Sequence, residues 1–228
     1  MSHIYGNVVV GMEAADLVKY IFLTKGLTQL DVVKYALEEI PHFAEVKGKN
    51  PKAKRPISNA LQHKSDFEGT IISFHHQVDI DYLKGLLSNL RDIDQGQVQI
   101  QGYLEKPDQK VWIHEALTVL SRVRTRQGYF HIPLLDMDLP INEAGPNDAE
   151  EAVRGLGIQH GAILNSGKSY HFWGLELLSE VEWKTFMYRA LLLDRVDSRW
   201  IGHRLLDGHA NLRISQKRGQ VPIVEHVF

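Results

Sequence analysis

Apolar and polar residues alternate along the chain with two different periods, which predict both helices and strands. A helical period places apolar residues three and four positions apart. At residues 28–40, Thr28 and Asp31 resemble a capping box, and Pro41 ends the pattern. Ser179 and Glu182 form a second such box. Helical spacing predicts helices at residues 14–24, 28–40, 79–94, 111–126, 147–155 and 180–191.

Other segments have the alternating or continuously apolar character of strands. The segment at 129–139 is mostly apolar, which predicts a central strand. Residues 158–177 predict two short strands around a Ser-Gly turn. The basic segment at 47–56 is broken by proline and predicts a loop. The remaining predicted strands are at 69–78, 97–105 and 211–215, the last followed by a basic polar tail.

Helices and strands together predict an α/β or α+β fold. Its N-terminal portion, residues 1–65, is predicted to be helical, and residues 66–228 would form the core, in two units or in one continuous domain. The chain has 228 residues and 43% hydrophobic content, so it is long enough to bury a substantial core.

Composition narrows the classes of function. The net charge of −2 means that any basic surface must be local. The chain has no cysteine, which excludes disulfides, cysteine-based zinc sites and thiol catalysis. No apolar run has membrane-spanning length, and the first residues lack the layout of a signal peptide. We therefore expect a soluble, cytoplasmic protein that does not bind membranes.

Three Asp-x-Asp pairs are candidate metal ligands: Asp79 with Asp81, Asp92 with Asp94, and Asp136 with Asp138. The first pair opens a predicted helix and the second ends one, so the helix dipole and turn chemistry explain both. In a strand, Asp136 and Asp138 face the same side. Their repulsion, about 2–3 kcal/mol at an effective dielectric near 20, needs an offset. A hard divalent cation, Mg²⁺ or Mn²⁺, would supply it; the alternative is a solvated strand end.

Two further segments carry candidate chemistry. In "NSGKSYH", a Ser-Gly turn frees backbone amides beside the side chains of Ser166, Lys168, Ser169 and His171. These groups could cradle a phosphate; the alternative is a plain hairpin with a packed histidine. In "LLLDRVDSRWIGHRLL", Asp194 or Asp197 could complete a carboxylate trio, and the cations there could hold a triphosphate. Ordinary surface ion pairs at a helix end are the alternative.

Three arginines in "SRVRTRQG", Arg122, Arg124 and Arg126, form a basic cluster. At the end of a predicted helix they would favour its dipole. They could also track a nucleic-acid backbone.

The order of these segments resembles the catalytic core of the archaeo-eukaryotic primase superfamily, in its primase-polymerase branch. That family has an apolar strand ending in Asp-x-Asp, a strand with small-x-His, and a later acid. Here the strand "LLDMD", the "SYH" segment and an aspartate ahead of "RWIGHRLLDGHANLRIS" follow in that order. The resemblance covers roughly residues 110–216.

The resemblance implies roles for individual residues. Asp136, Asp138 and Asp197 would be the catalytic metal ligands, with Asp194 as the alternate third acid. Residues that would contact the nucleotide, its triphosphate or the template are Ser166, Lys168, Ser169, His171, Arg204 and Arg213. The implied architecture is an RRM-like catalytic unit packed on an N-terminal α/β unit, with the active site in the cleft between them.

The function implied is a DNA primase or polymerase, a nucleotidyltransferase that adds nucleoside triphosphates to a nucleic-acid strand with Mg²⁺ or Mn²⁺. Its partners would be a single-stranded DNA or RNA template and, because no helicase segment is recognisable, a helicase or other replication protein supplied as a separate chain. One alternative is a non-catalytic protein that binds nucleotide or single-stranded nucleic acid. Another is a metal-dependent phosphoesterase, for which His131 is the nearest additional ligand.

Overall fold

The structure, a computed structural model, describes residues 8–38, 70–75, 79, 81–83, 85–87, 113–217 and 219–228. The helices with defined ends in these ranges are α1 (Ala14–Thr24), α2 (Gly145–Gly155), α3 (Glu180–Ala190) and α4 (Ser198–Asp207). The strands there are β1 (Leu27–Glu38), β2 (Thr70–Phe74), β3 (Ile113–Thr125), β4 (Gly128–His131), β5 (Leu134–Asp136), β6 (Gly161–Asn165), β7 (Tyr170–Gly174), β8 (Asn211–Arg213) and β9 (Ile223–Val227).

The strands form two antiparallel sheets. The first has the order β2-β1-β3-β4, and β8 pairs with β3 next to β4. The second has the order β5-β7-β6-β9. Buried apolar residues from both sheets and from the four helices belong to one continuous core. The α+β class predicted from the sequence is confirmed.

Several predicted elements are confirmed as well. Helix α1 has the predicted bounds and buries the apolar face of the pattern. Ser179 caps α3 as predicted, because its hydroxyl accepts from the amide of Glu182 and the Glu182 carboxylate accepts from the amide of Ser179. Helix α2 and strands β2, β6, β7 and β8 also lie in segments where the sequence predicted a helix or a strand. The described residues between 79 and 87 are helical.

The helix predicted at residues 28–40 was wrong, since this segment lies in strand β1 as far as Glu38. Among the β1 side chains that the structure describes, those of residues 27–34, the buried ones are Leu27, Leu30 and Val32, which do not keep a period of two. The register of β1 against β3 shifts between Leu27 and Gln29 and again between Leu30 and Val32. The residues that gave the helical spacing, Val33, Ala36, Leu37 and Ile40, come after both shifts, and their spacing alone did not distinguish a strand from a helix.

The helix predicted at residues 111–126 was wrong for a different reason. Strand β3 lies inside the first sheet and is covered on both faces, so residues 116–121 are all buried. A strand buried on both faces gives a continuous apolar run, which periodicity alone does not distinguish from a buried helix. The β-branched residues Thr118, Val119 and Val123 were the local signal for a strand.

The segment 129–139 is not a single central strand as predicted. It is split at Pro133 into β4, in the first sheet, and β5, at the end of the second. Gly174 approaches Pro133 so closely that an added Cβ would lie 2.6 Å from the proline ring. The segment is apolar because it passes between the two sheets through the core, where Ile132 and Leu134 are fully buried.

The C-terminal residues contain strand β9, where the sequence predicted only a polar tail. The strand at 97–105, the loop at 47–56 and the pair Asp92 and Asp94 lie outside the described residues. The division at residue 65 stays a prediction, although β1, from the N-terminal portion, pairs with β3 of the core. Among the helices of the described ranges, none combines the length and apolarity needed to cross a membrane.

Candidate active site

Strand pairing brings Asp136 and His171 together. In the register of β5 against β7, Asp136 lies directly opposite His171. Residues opposite each other in an antiparallel pair have their Cβ atoms about 4.5–5.5 Å apart. His171 Nε2 lies 3.8 Å from Asp136 Oδ1, and the Ser169 hydroxyl donates to the same oxygen at 3.5 Å. Two of the three sequence motifs therefore meet at Asp136.

The third motif is placed by the chain that runs beside residues 136–138. The amide of Asp138 donates to the carbonyl of Arg195 at 2.9 Å, and the amide of Asp197 donates to the carbonyl of Asp136 at 3.3 Å. Asp197 is also the N-cap of α4, where its Oδ1 accepts from the amides of Arg199 and Trp200. Oδ2 takes no part in this cap.

Asp136 experiences the charges of both other acids. Burial is the main cause that raises its pKa to about 7, and the carboxylates of Asp197 and Asp138 raise it further, while Lys168 and the Ser169 hydroxyl act in the opposite direction. A third of the Asp136 side chain remains accessible, so a ligand can reach it. Asp194 is exposed and is not among the charges acting on Asp136 in the described part of the chain.

These acids suit a hard divalent cation by their chemistry, because the two carboxylates that raise the pKa of Asp136 call for a compensating charge. Within the described residues, however, no group of three or more histidine, aspartate or glutamate side chains lies close enough to enclose a metal ion. The donors fit Mg²⁺ or Mn²⁺ in kind, and the side chains of Asp138 and Asp197 would have to turn towards Asp136 to bind together.

The turn before His171 is rigidly built. The amide and hydroxyl of Ser166 both donate to the carbonyl of Ser169, at 3.0 and 2.8 Å. Gly167 has a φ of +97°, and its amide donates to the Asn165 side chain at 2.7 Å. A Cβ on Gly167 would lie 1.7 Å from the end of the exposed Gln220 side chain, which could move, so the positive φ is the main reason that glycine is favoured here. The turn holds Lys168 exposed, near enough to lower the pKa of Asp136.

His171 is a neutral side chain at physiological pH. Burial, followed by the positive charge of Arg213, lowers its pKa to about 3. Its Nδ1 is buried and has no hydrogen-bond partner among the described residues. The neutral ring can still donate one hydrogen bond to an oxygen of a bound anion.

A cation that the sequence analysis did not single out, Lys217, belongs to the same site. Burial lowers its pKa, the charges of Arg213 and Lys168 lower it further, and Asp136 acts in the opposite direction. Lys217 lies in a turn closed by two backbone hydrogen bonds with Gln220, at 3.0 and 3.1 Å. The available signal was the basic "SQKRG" segment, but its position next to Lys168 depends on the fold.

Arg213 connects the two sheets at this point. It leaves β8 of the first sheet and donates to the carbonyl of Ser166, in the second sheet's turn, at 2.7 Å. It also donates to the carbonyls of Ser215 and of Gln220, the latter at 3.0 Å. Side chains from both sheets therefore form the site, and Arg213 fixes the positions of its turns while adding positive charge.

Arg204 has structural partners. It is buried, donates to the Asn211 side chain at 2.6 Å and pairs with Asp207 at 3.1 Å, which joins α4 to β8. Its predicted nucleotide contact stays a prediction. Asp79 and Asp81 have structural partners too, because Asp79 accepts from the amide of His75 and Asp81 pairs with Lys19 of α1.

His131, the additional ligand considered for a phosphoesterase, is committed elsewhere. Its ring is 1% exposed, stacks on Trp183 at 4.4 Å, and bonds to Ser121 through Nδ1 and to Glu180 through Nε2. Burial lowers its pKa despite the neighbouring carboxylate, so the ring is neutral and Nε2–H donates to Glu180. Both nitrogens are used, and neither is left for a metal.

Comparisons with known proteins bear on the same residues. The family model of archaeo-eukaryotic primase 1D-like proteins matches residues 105–226, more than half of the chain. No curated protein and no solved structure matches the chain. The matched range contains Asp136, His171 and Asp197, the three positions that the fold brings together. The chain therefore belongs to the archaeo-eukaryotic primase superfamily, as a member of its 1D-like family, and so to a primase-like family of nucleotidyltransferases.

Proposed function

We propose that this protein is a template-directed primase or polymerase of the primase-polymerase type, which adds nucleoside triphosphates to a nucleic-acid strand. The observation that carries the proposal is the convergence on Asp136 of three segments that are far apart in sequence. The segments bring the carboxylates of Asp138 and Asp197 and the cation of Lys168 close enough to act on the charge of Asp136, and Asp136 in turn acts on Lys217. A nucleotide with its metal ion carries both kinds of charge.

The acids Asp136, Asp138 and Asp197 would hold Mg²⁺ or Mn²⁺. A metal bound there would neutralise charge on the attacking and leaving oxygens during phosphoryl transfer. Asp197 supports this role because its charge acts on Asp136 and its Oδ2 is outside the helix cap. Asp194 is exposed, and its charge is not among those that act on Asp136 in the described part of the chain, so it is the weaker candidate.

The cations Lys168 and Lys217 would bind the triphosphate. Arg213 would hold their two turns in place, and neutral His171 would donate a hydrogen bond to a phosphate oxygen. A polyanion would offset the repulsion by which Arg213 and Lys168 lower the pKa of Lys217. Groups already in position for the leaving pyrophosphate lower the barrier without reorganisation.

The test is incorporation of labelled nucleoside triphosphates on single-stranded DNA with Mn²⁺. We expect product with the wild type and none with Asp136→Asn/Asp138→Asn. The matched control is Asp79→Asn/Asp81→Asn, which removes the same two charges from another Asp-x-Asp pair and should retain activity. Comparing Asp197→Asn with Asp194→Asn then identifies the third acid, and we expect only the former to lose activity.

Two outcomes would contradict the proposal. Equal product from the wild type and from Asp136→Asn/Asp138→Asn would remove the acids from the chemistry. No product from the wild type, with nucleotide binding that the same double variant loses, would favour the alternative of a non-catalytic binding protein. A helicase or other replication protein is proposed as a partner in trans, and product that appears only after its addition would retain the assignment.

A further inference from the structure

A row of arginines on the β3–β4 hairpin has no role in the site described above. Arg122 and Arg124 are exposed on β3, and Arg126 is exposed in the turn that follows. Residues two apart on a strand point to the same side, whereas in the helix predicted from the sequence they would have diverged. The intervening residues, Val123 and Thr125, are buried by contrast, as is Ser121 before them.

Tyr129 on β4 completes this surface. It lies opposite Arg124 in the register of the hairpin and is 54% exposed. The guanidinium of Arg122 lies 4.5 Å from the centre of its ring, and that of Arg124 lies 5.7 Å away. Cation–π contacts within about 6 Å orient an aromatic ring. The tyrosine is therefore held as an exposed aromatic platform among cations.

Among the described residues, no acid forms an ion pair with Arg122, Arg124 or Arg126. The acid on the adjoining strand, Asp31, accepts a hydrogen bond from Gln29 at 3.0 Å instead. A local cationic surface on a chain of net charge −2 is available for a polyanion.

We propose that this arginine–tyrosine surface (Arg122, Arg124, Arg126 and Tyr129) binds single-stranded nucleic acid. The arginines hold successive phosphates, and an unpaired base stacks on Tyr129. An exposed ring among cations is the combination that binds single strands, whose bases are free to stack, whereas the bases of a duplex are already stacked on one another and offer only their edges. The inference rests on the proposed function in one respect, that the bound strand is the one used in synthesis at Asp136.

The position of the surface suits that use. Strand β4 leads through Pro133 into β5, and Asp136 lies seven positions after Tyr129 in the chain. At about 3.3 Å per residue, the two lie at most roughly 23 Å apart. That is less than one turn of a DNA duplex, about 34 Å. A strand bound at Tyr129 can therefore extend to the acids.

The experiment measures binding of fluorescein-labelled oligothymidylate by anisotropy, with neither nucleotide nor metal present. We expect Tyr129→Ala to weaken binding by about fivefold or more, since base stacking is lost, and Tyr129→Phe to bind like the wild type. Arg122→Gln and Arg124→Gln should each reduce the slope of log K against log salt by about 0.7. The same measurement with an oligouridylate of equal length gives the affinity for RNA.

Matched controls lie on α3, where Tyr188 is 58% exposed and Arg189 is also exposed. Tyr188→Ala and Arg189→Gln should leave affinity and salt slope unchanged. The proposal is overturned if the wild type does not bind, if the surface variants bind like the wild type, or if the α3 variants weaken binding equally. Equal competition by duplex DNA, with no effect of Tyr129→Ala, would overturn the stacking.

The same measurement separates this inference from the proposed function. If oligonucleotide binding depends on Tyr129 while the wild type incorporates no nucleotide, the proposed binding surface is supported and the proposed catalytic activity is contradicted. The reverse result, nucleotide incorporation that is lost in Asp136→Asn/Asp138→Asn but unaffected in Tyr129→Ala together with unchanged binding, overturns the surface alone.

Discussion

At the scale of single residues, Asp136 combines two features that make its negative charge unfavourable in the folded protein. It is a carboxylate at the end of a buried strand, and two further carboxylates act on it. Both effects disfavour its ionised form, so the folded protein is less stable with this charge than without it. Residues that cost stability are common at functional sites, where a ligand supplies the compensation.

Asp136→Asn should therefore stabilise the metal-free protein. Repulsion between such carboxylates is roughly 2–3 kcal/mol at an effective dielectric near 20, and screening at a partly accessible side chain leaves about 1 kcal/mol. The free energy of unfolding in EDTA, from urea titration, should rise by about that amount. Mn²⁺ should raise the melting temperature of the wild type and not that of the variant. A variant less stable than the wild type in EDTA would show that Asp136 is not repelled.

Lys217 is the second residue whose role can be measured directly. If it holds the triphosphate, Lys217→Ala should raise the KM for nucleotide about tenfold or more, as loss of a charge-assisted hydrogen bond costs roughly 1.5–3 kcal/mol. Lys184→Ala removes an exposed lysine on α3 and should leave KM unchanged. Steady-state kinetics with varied nucleotide give the answer, and an unchanged KM for Lys217→Ala would exclude the contact.

At the scale of elements, the β6–β7 turn determines where the phosphate-binding groups lie. The sequence predicted a Ser-Gly turn here, and the residues that close it, Asn165, Gln220 and Arg213, come from three different strands or turns. Hairpin chemistry thus located the turn, and contacts from β8 and from the 217–220 turn give it its position.

Gly167→Ala tests whether that position matters. The positive φ and the contact with Gln220 disfavour any side chain, so we expect a loss of about 1 kcal/mol or more. Gly155→Ala, at the end of α2 where a Cβ meets no neighbour, should instead be neutral or stabilising. Thermal unfolding compares the two. The nucleotide KM should rise only in Gly167→Ala, and unchanged stability and KM there would mean that the turn adapts freely.

At the scale of the whole molecule, a buried polar network joins the first sheet to α3. The amide of Ala210 donates to Ser121, whose hydroxyl donates to Nδ1 of His131, and Nε2–H of His131 donates to Glu180. The network links β3, β4, the chain before β8 and α3. Because burial keeps the histidine neutral, protonation of His131 opposes folding.

His131 should therefore lower the free energy of unfolding as the pH falls below about 6.5. Its pKa is lower in the folded than in the unfolded state, so the unfolded chain binds more protons in this range, and such a group contributes up to about 1.4 kcal/mol per pH unit. Asp136, whose pKa is raised to about 7, contributes in the opposite direction in the wild type and in His131→Gln alike, so the difference between the two proteins is the test: His131→Gln should lose less stability with falling pH, although it is less stable at pH 8. His171 and His209, whose pKa values are also lowered, contribute equally to both proteins.

Urea denaturation at several pH values measures this difference in slope. His203→Gln, which changes a histidine of α4 outside the network, is the matched control and should titrate in parallel with the wild type. Parallel curves for the wild type and His131→Gln would mean that His131 does not resist protonation in the folded protein.

The sequence by itself determined the α+β class, α1, the capped helix α3, the β6–β7 hairpin and the order of motifs that resembled the primase superfamily. These depend on neighbours a few residues apart, through side-chain periodicity, capping and turn chemistry. Only the tertiary structure decided that residues 27–38 and 113–125 are strands, since a short apolar pattern, or a strand buried on both faces, is not distinguished from a helix by its period alone.

The same distinction applies to the site. Asp136 and Ser169 could be named from local motifs, but their contact depends on the β5–β7 register. Lys217 and the stacking of Arg122 on Tyr129 involve residues whose proximity no local pattern encodes. Charge and chemistry are carried by each residue, whereas the distance between two charges is set by the packing of both sheets against one core.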